Sequence, residues 1–325
     1  MFQRFYTLTL NCFVETIRQP IFGVILGTTA LLMILNVSLA AFTLENDNKL
    51  LIDLGLSTLL LSGLFLASFS AAGVVSREIE NKTVLTVISK PVSRPVFILG
   101  KFAGIVAAVG VAFYLSTLAF MLALRHGVLQ NTSDPWDAPV LVFGFGSIMV
   151  ALIGGSFCNY FYNKHFASTT IFILVPLLTL SVILVGFFDE HFKPIAFGSN
   201  YVGGQILIAS YLVFLAVMIT AAVAVAASTR FGQLMTLVIC TVFLGLGTIT
   251  DYAFGQYGDK SRLASLAYHV VPNLGPFWVV DGLVAGTSRT TITPQYVGYV
   301  TIYGVLVTVG ILGLAVTLFQ RREVG

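Results

Sequence analysis

Residues 75–104 read VSREIENKTVLTVISKPVSRPVFILGKFAG, and this stretch decides how the rest of the chain is arranged. It is the most highly charged segment of a very apolar sequence, and it lies between two long hydrophobic runs. A charged loop between two membrane spans has to sit in water, and loops rich in Lys and Arg favour the cytoplasmic side. The stretch therefore predicts the orientation of the spans before and after it.

The same stretch predicts a short helix outside the membrane, over residues 77–90. Ser76 can cap its first turn, and acidic residues near its start and Lys90 at its end suit the helix dipole. Pro91 has no N–H group and stops the helix. Three apolar side chains share one face of it, namely Val84, Val87 and Ile88. Such a helix can dock onto a cytoplasmic partner; the alternative is an ordinary solvated loop.

The composition indicates an integral membrane protein. Of the 325 residues, 57% are hydrophobic and only 10% are charged, and the mean hydropathy is +0.94. Soluble domains carry about 25% charged residues. Three widely spaced cysteines form neither a metal motif nor a disulfide framework.

A spanning helix needs about 20 apolar residues, and the hydrophobic runs predict eight of them. The fold class is therefore all-α and polytopic, with one membrane domain over 21–325. The predicted spans lie near 21–43, 54–75, 100–124, 138–160, 168–188, 201–227, 234–255 and 295–319. They leave a charged loop at 76–99 and a long loop at 256–294 on the other side.

The distribution of Lys and Arg favours a cytoplasmic location for loop 76–99 and both chain termini. With the spans alternating from that loop, most of the 17 cations fall on its side. The cations predicted inside are Arg4, Arg18, Arg77, Lys82, Lys90, Arg94, Lys101, Lys164, Arg230, Arg321 and Arg322. Those predicted outside are Lys49, Arg125, Lys193, Lys260, Arg262 and Arg289.

Residues 1–20 predict an amphipathic helix at the membrane interface. Apolar residues recur at helical spacing on one side, namely Phe2, Phe5, Tyr6, Thr9, Phe13 and Ile17. Pro20 ends this helix before the first span. A simple membrane anchor is the alternative role.

The pattern S-R-E-I-E-N-K-T-x-x-x-x-I-S-K-P-V-S-R-P-x-x-x-x-G-K, from Ser76 to Lys101, resembles the cytoplasmic loop of ABC-2 type permeases. These are the membrane subunits of ATP-driven transporters, and their N-terminal helix is often an elbow helix. The ending Phe319-Gln320-Arg321-Arg322-Glu323 is similar to the F-x-R-R-E ending of that family. The resemblance covers the two ends of the chain well and the middle poorly.

The resemblance implies a permease subunit that dimerises with itself or a sister chain and docks cytoplasmic ATPase subunits. The docking residues that it implies are Arg77, Glu78, Glu80, Lys82, Thr83, Val84, Val87, Ile88, Lys90, Pro91 and Arg94. It also implies an outer re-entrant segment, which contains Pro272, Asn273, Phe277 and Asp281. Transport, with export as the expected direction, would cross the inner (cytoplasmic) membrane.

The span count departs from this family, most members of which have six spans. Three predicted spans, 138–160, 168–188 and 201–227, stand where the family has one. Either two spans are inserted, or a pair of these runs is re-entrant, and Pro176 can kink the second of them.

Motifs that carry chemistry are absent from the sequence. Gly100-Lys101 lacks the preceding Gly and the following Ser or Thr of a phosphate-binding loop, so ATP and Mg²⁺ are expected in a partner chain. No metal motif or nucleophile–base pair is visible, and no nucleic-acid patch, so we expect no enzyme activity and no metal in this chain. Two alternatives remain: a non-transporting subunit that passes ATP-driven motion to an extracytoplasmic partner, and a membrane-embedded enzyme.

Overall fold

The computed structural model of the chain describes residues 2–42, 47–76, 93–129, 136–199, 204–253, 255, 268, 271–280 and 292–320. These residues are almost entirely helical and contain no strand longer than an isolated bridge between Phe188 and Pro194. The helices are α1 Phe2–Arg18, α2 Pro20–Ala40, α3 Asp47–Ala71, α4 Arg94–His126, α5 Gly146–Tyr162, α6 Phe166–Val185, α7 Gln205–Ser228, α8 Gln233–Thr248, α9 Thr250–Ala253 and α10 Pro294–Gln320.

Two helices carry π-helical turns at one end. The turn Ala72–Ser76 continues α3, and the turn Val140–Phe145 precedes α5. With these turns, α2 to α7 and α10 make seven helices in the described part of the chain that are long and apolar enough to cross a membrane. The chain is thus a multi-pass membrane protein of all-α class, as its sequence predicts.

The seventh predicted span, 234–255, is shorter than expected. Its helix α8 has 16 residues, which gives about 24 Å against a hydrocarbon core of about 30 Å. The segment that contains Leu274 is bound to the end of α8, because the backbone N–H of Leu274 donates to the Gly247 carbonyl at 2.8 Å. The side chain of Leu274 fills the space where a Cβ on Gly247 would lie, 2.7 Å away.

The boundaries of two other helices also differ from those that the sequence predicts. Helix α4 begins at Arg94 with Pro95 in its first turn, so residues 94–99 belong to the helix and not to the predicted loop. Helix α3 begins at Asp47, seven residues before the predicted span. Pro176 lies inside α6 without interrupting it. Helix α6, and α5 together with its preceding π-helical turn, each have the length of a full span.

The core of the bundle consists of α3, α4 and α7. In the most apolar 18-residue stretch of each helix, 72% of the residues are buried in α7 and 61% in both α3 and α4, but only 22% in α2. Phe120 of α4 occupies the space beside Gly55, and Val217 of α7 occupies the space beside Gly63, both on α3. Helix α10 packs along α7, and α5 and α6 form an antiparallel pair at the periphery. Small residues on α3 thus let α4 and α7 approach it closely, as is common in membrane bundles.

The side of the bundle at which Ser76 and Ser93 lie is called the loop side. The guanidinium of Arg94 donates to the Gln320 carbonyl at 2.6 Å, and that of Arg230 donates to the Leu318 carbonyl at 2.9 Å. The start of α4, the α7–α8 turn and the end of α10 therefore lie together on the loop side.

A buried ion pair closes the bundle on the opposite side. Arg125 at the end of α4 lies 3.2 Å from the Asp137 carboxylate, with side-chain exposures of 7% and 1%. Arg125 also donates to the Phe188 carbonyl at 3.1 Å. Burial raises the pKa of Asp137, although the backbone N–H of Val140 and the charge of Arg125 oppose that shift. The pair joins α4 to the segments that flank α5 and follow α6.

Helix α1 packs across the first turns of α4. A Cβ on Gly104 would lie 2.6 Å from the carbonyl oxygen of Thr9 and 2.6 Å from the Cβ of Cys12. We expect Gly104→Ala to force α1 away from α4 and to lower the stability of the purified protein by about 1–3 kcal/mol, the usual cost of overpacking. Thermal unfolding in detergent measures the change.

Gly110→Ala on the same helix is the matched control for this substitution. Its Cβ would meet the Phe214 ring at an ordinary 3.5 Å, and replacing Gly by Ala in a helix usually gains about 0.5–1 kcal/mol. If the two variants unfold at the same temperature, the described contact between α1 and α4 is wrong.

Candidate functional site on the loop side

The predicted docking loop connects the ends of two core helices. The last described residue before it is Ser76, and Val74 and Val75 are fully buried. The first described residue after it is Ser93, followed by the buried residues Val96 and Ile98. Any force on the loop therefore acts directly on α3 and α4.

Most of the predicted docking residues lie outside the described residues. These are Arg77, Glu78, Glu80, Lys82, Thr83, Val84, Val87, Ile88, Lys90 and Pro91. Arg94 is described and half-buried. Its side chain holds the end of α10 through the Gln320 carbonyl, so within the described part of the chain it joins two helices.

An aromatic contact joins the same two helix ends. The rings of Phe97 on α4 and Phe319 on α10 are stacked with centroids 5.5 Å apart, and both side chains are buried. Phe319 belongs to the F-x-R-R-E ending, whose remaining residues from Arg321 onward lie outside the described residues. The described part of this ending therefore packs against the helix that follows the loop.

Lys101 also joins helices on the loop side. The sequence places it at the start of the predicted span 100–124, and the structure places it inside α4 with its side chain only 4% exposed. Its Nζ lies 3.8 Å from the Glu15 carboxylate of α1 and 5.7 Å from the centroid of the Phe97 ring. The buried charge is thus balanced by an acid and an aromatic face, as a buried cation requires.

Cys12 completes the contact between α1 and α4. Its thiol donates to the backbone carbonyl of Lys101 at 3.3 Å and is fully buried. The predicted apolar face of α1 is present in part, since Ile17 is buried while Phe2 and Tyr6 are 83% and 59% exposed. One face of α1 therefore packs on α4, and the exposed aromatic residues lie on another.

Together these contacts form a frame around the base of the loop, which we call the loop-side frame: Glu15, Arg94, Phe97, Lys101, Arg230 and Phe319. Sequence reasoning assigned a docking role to Arg94 alone and did not find Glu15 or Phe97. Glu15 and Lys101 have opposite charges, but they are far apart in sequence. No spacing rule predicts that two such residues form a pair.

The predicted re-entrant segment lies on the opposite side, where residues 271–280 are described. Pro272 and Asn273 are half-buried and Phe277 is buried against Tyr303 of α10, with ring centroids 6.0 Å apart. Asp281 lies outside the described residues. The described segment contains a single 3₁₀ turn, Gly275–Phe277. The short helix predicted over 277–286 lies mostly outside the described residues and stays a prediction.

A small polar network holds this segment in place. The Asn273 amide donates to Asp251 at 2.8 Å, and the backbone N–H of Gly275 donates to the Asn273 side-chain oxygen at 2.8 Å. The Tyr268 hydroxyl donates to the same Asp251 carboxylate at 3.1 Å, and this hydrogen bond raises the pKa of Tyr268. Asp251 and Tyr268 were not predicted as part of this site.

The described residues do not form a metal centre, because among them no three or more His, Cys, Asp and Glu side chains come together as ligands. The free cysteines Cys12, Cys158 and Cys240 lie on separate helices. What the described residues offer is mechanical and electrostatic coupling between helix ends.

Comparisons with known proteins add no family to this description. No protein-family model matches the sequence, and its comparison with curated proteins and with solved structures gives no significant match.

We expect Asn273→Asp to loosen the 271–280 segment at neutral pH. The substitution removes the donor and places two carboxylates at the present 2.8 Å contact, where like charges repel. The cost is about 1 kcal/mol or less, because Asp251 is exposed to water. Lowering the pH protonates one carboxylate of the pair and restores a hydrogen bond.

Acrylamide quenching of Trp278, in a Trp136→Phe background, measures this loosening. Quenching should rise in Asn273→Asp at pH 7 and return toward the parent value near pH 4. Asn163→Asp is the control, because its left-handed backbone, with φ of 52°, accepts Asn and Asp alike. Quenching that does not depend on pH would contradict the described pairing of residues 251 and 273.

Proposed function

We propose that this chain is the permease subunit of an ATP-driven transporter of the ABC-2 type. It pairs with a second permease and with two ATPase subunits, which bind ATP and Mg²⁺ on the loop side. The loop side is cytoplasmic, both termini lie there, and the membrane is the inner (cytoplasmic) membrane. The direction that we propose is export.

The observation that carries this proposal is where the loop with the permease-like pattern is attached. It joins α3 to α4, two of the three most buried helices, and the loop-side frame ties its base to α1 and α10. If the loop joined peripheral helices, a force applied by a partner would mainly move those helices within the lipid. A loop joined to the core passes that push to the whole bundle.

In the proposed mechanism, ATP binding closes the ATPase pair and displaces helix 77–90. Because Val74, Val75 and Ile98 are fully buried, the displacement moves α3 and α4 as rigid bodies instead of bending their ends. Motion of packed helices against each other is a common route between two transport states. Glu78, Glu80 and Lys82 make the polar contacts with the ATPase, and Val84, Val87 and Ile88 form its docking face.

The proposed topology has eight spans, with α8 and α9 together forming the seventh in chain order. Helix α9 follows α8 after Ile249 and extends the helical path to Ala253, so that about 21 residues cover about 30 Å. Helices α5 and α6 are then two spans additional to the usual six, and α1 is the elbow helix at the interface.

Cysteine accessibility tests this topology. In a chain whose native cysteines are replaced, Lys193→Cys should react with a membrane-impermeant maleimide in intact cells. Lys164→Cys should react only after the membrane is permeabilised, because these two exposed residues lie at opposite ends of α6. Equal labelling of both in intact cells would contradict the proposed orientation.

Copurification with an ATPase tests the function itself. We expect the tagged wild-type chain to retain an ATPase subunit and the double variant Glu80→Lys, Val87→Asp to lose at least 90% of it while inserting normally. The reversed charge and the new carboxylate each remove one part of the docking face, and unpaired charges at such a surface usually cost about 2–5 kcal/mol.

The control variant reverses a charge on the opposite side. Lys193→Glu alters an exposed residue remote from the loop and should retain the ATPase. If the wild-type chain retains none, or the double variant retains as much as the wild type, the proposed docking surface is wrong.

A second candidate function is a non-transporting subunit that passes ATP-driven motion to an extracytoplasmic partner. The 271–280 segment favours it, because Leu274, Asn273 and Phe277 anchor this segment to α8, α9 and α10. Reconstitution separates the two candidates: a transporter moves its cargo in vesicles with the ATPase alone, whereas a motion-transmitting subunit moves none and copurifies with an extracytoplasmic protein.

A further inference from the structure

A groove runs along the whole of α2 on the side that faces α5 and α6. It encloses a cavity of about 1360 Å³, with the second half of α4 as its floor. The lining residues of α2 extend from Pro20 to Ser38, and this helix of 21 residues is about 30 Å long, the thickness of a bilayer core. We call this cavity the α2 groove.

The α2 wall of the groove is largely uncovered by the rest of the chain. Val24 and Leu31 line the groove and are 61% and 63% exposed. A Cβ on Gly23 or Gly27 would meet no atom within 4 Å. In a membrane such a surface does not stay empty, because lipid chains or another helix cover it.

The two ends of the groove differ in charge. Its described lining residues include no Asp or Glu; the ionisable members are Arg18 and His165 at the loop side and His126 at the opposite end. Asn159 lies with Arg18 and His165 at the loop-side end, and Lys164 is exposed next to His165 in the same turn. The long apolar wall thus ends in a cluster of cationic and hydrogen-bonding groups.

The geometry of the α5–α6 turn fixes part of this cluster. The Asn159 amide donates to the Lys164 carbonyl at 2.6 Å, and the backbone N–H of Lys164 donates to the Cys158 carbonyl at 3.2 Å. Asn163 adopts the left-handed conformation that lets the chain reverse there. His165 is therefore held at the loop-side end of the groove, whose lining also includes Arg18 of the last turn of α1.

We propose that the α2 groove binds an anionic phospholipid of the surrounding bilayer. Its acyl chains lie along α2 between α5 and α6, and its phosphate-bearing headgroup lies against Arg18, His165 and Asn159. Basic pockets between spanning helices recognise anionic headgroups by charge, and an apolar groove of bilayer length matches the chains. This inference does not depend on the presence of an ATPase partner.

Symmetry disfavours a helix from a second copy as the occupant. Two copies related by a two-fold axis along the membrane normal would place their basic groove ends at the same depth. The like charges would then repel each other.

Native mass spectrometry of the detergent-purified full chain, with phosphatidylglycerol and phosphatidylcholine added in equal amounts, tests the proposal. The wild type should retain phosphatidylglycerol in preference. Arg18→Gln should reduce that preference about fivefold, the effect of one cation near an anionic membrane surface. Arg4→Gln alters a basic residue of the same helix that does not line the groove, and should leave the preference unchanged.

A second pair of variants tests the location independently of charge. Gly27→Leu adds a side chain into open groove space and should reduce retention of both lipids by at least half. Gly313→Leu on α10 also has no atom within 4 Å of its Cβ and is the matched control, with retention expected as in the wild type. Circular dichroism checks that both variants fold alike.

Three results would overturn the proposal. They are equal retention of the two lipids by the wild type, an unchanged preference in Arg18→Gln, and full retention by Gly27→Leu. A fourth would identify a different occupant: if Gly27→Cys forms a disulfide between two copies in native membranes, a second copy covers the groove and the lipid does not.

Discussion

Close packing among α3, α4 and α7 is the interaction on which the rest of this structure depends. In a bilayer, helices gain little from leaving lipid, so association comes from tight contact and from polar groups. Gly55 makes room for Phe120, and Gly63 makes room for Val217, which brings α4 and α7 against α3. The remaining spans are attached to this three-helix core and are less buried than its members.

The two sides of the core are closed by charges in different ways. On the opposite side the Arg125–Asp137 pair is almost fully buried and fixes the segments around α5 and α6. On the loop side the Lys101–Glu15 contact is partly open, since Glu15 remains 47% exposed. A buried pair costs several kcal/mol to break, whereas a half-exposed one is weaker and easier to rearrange. The side that the proposed ATPase would move is thus the side with the weaker charge contact.

This asymmetry connects the proposed coupling with the α2 groove. Helix α1 carries both Glu15, which faces Lys101, and Arg18, which faces the loop-side end of the groove. A shift of α1 relative to α4 changes both contacts together. If the proposed docking and lipid sites are both correct, the bound phospholipid and the ATPase partner act on the same short helix from two directions.

The sequence by itself determined the membrane class, the approximate positions of the spans and the place of the charged loop. Hydrophobic length and the positions of proline and charge depend on neighbours along the chain, so the break at Pro20 could be interpreted without a structure. The helix continues through Pro176, which the sequence alone left open. Most docking residues lie outside the described ones, and their role remains a prediction from the sequence pattern. Only the tertiary structure decided that Lys101 is buried against Glu15, that Asp251 holds Asn273, and that α2 leaves an open groove before α5 and α6. These features depend on how helices far apart in sequence are placed against each other, and no periodicity within a single helix encodes that placement.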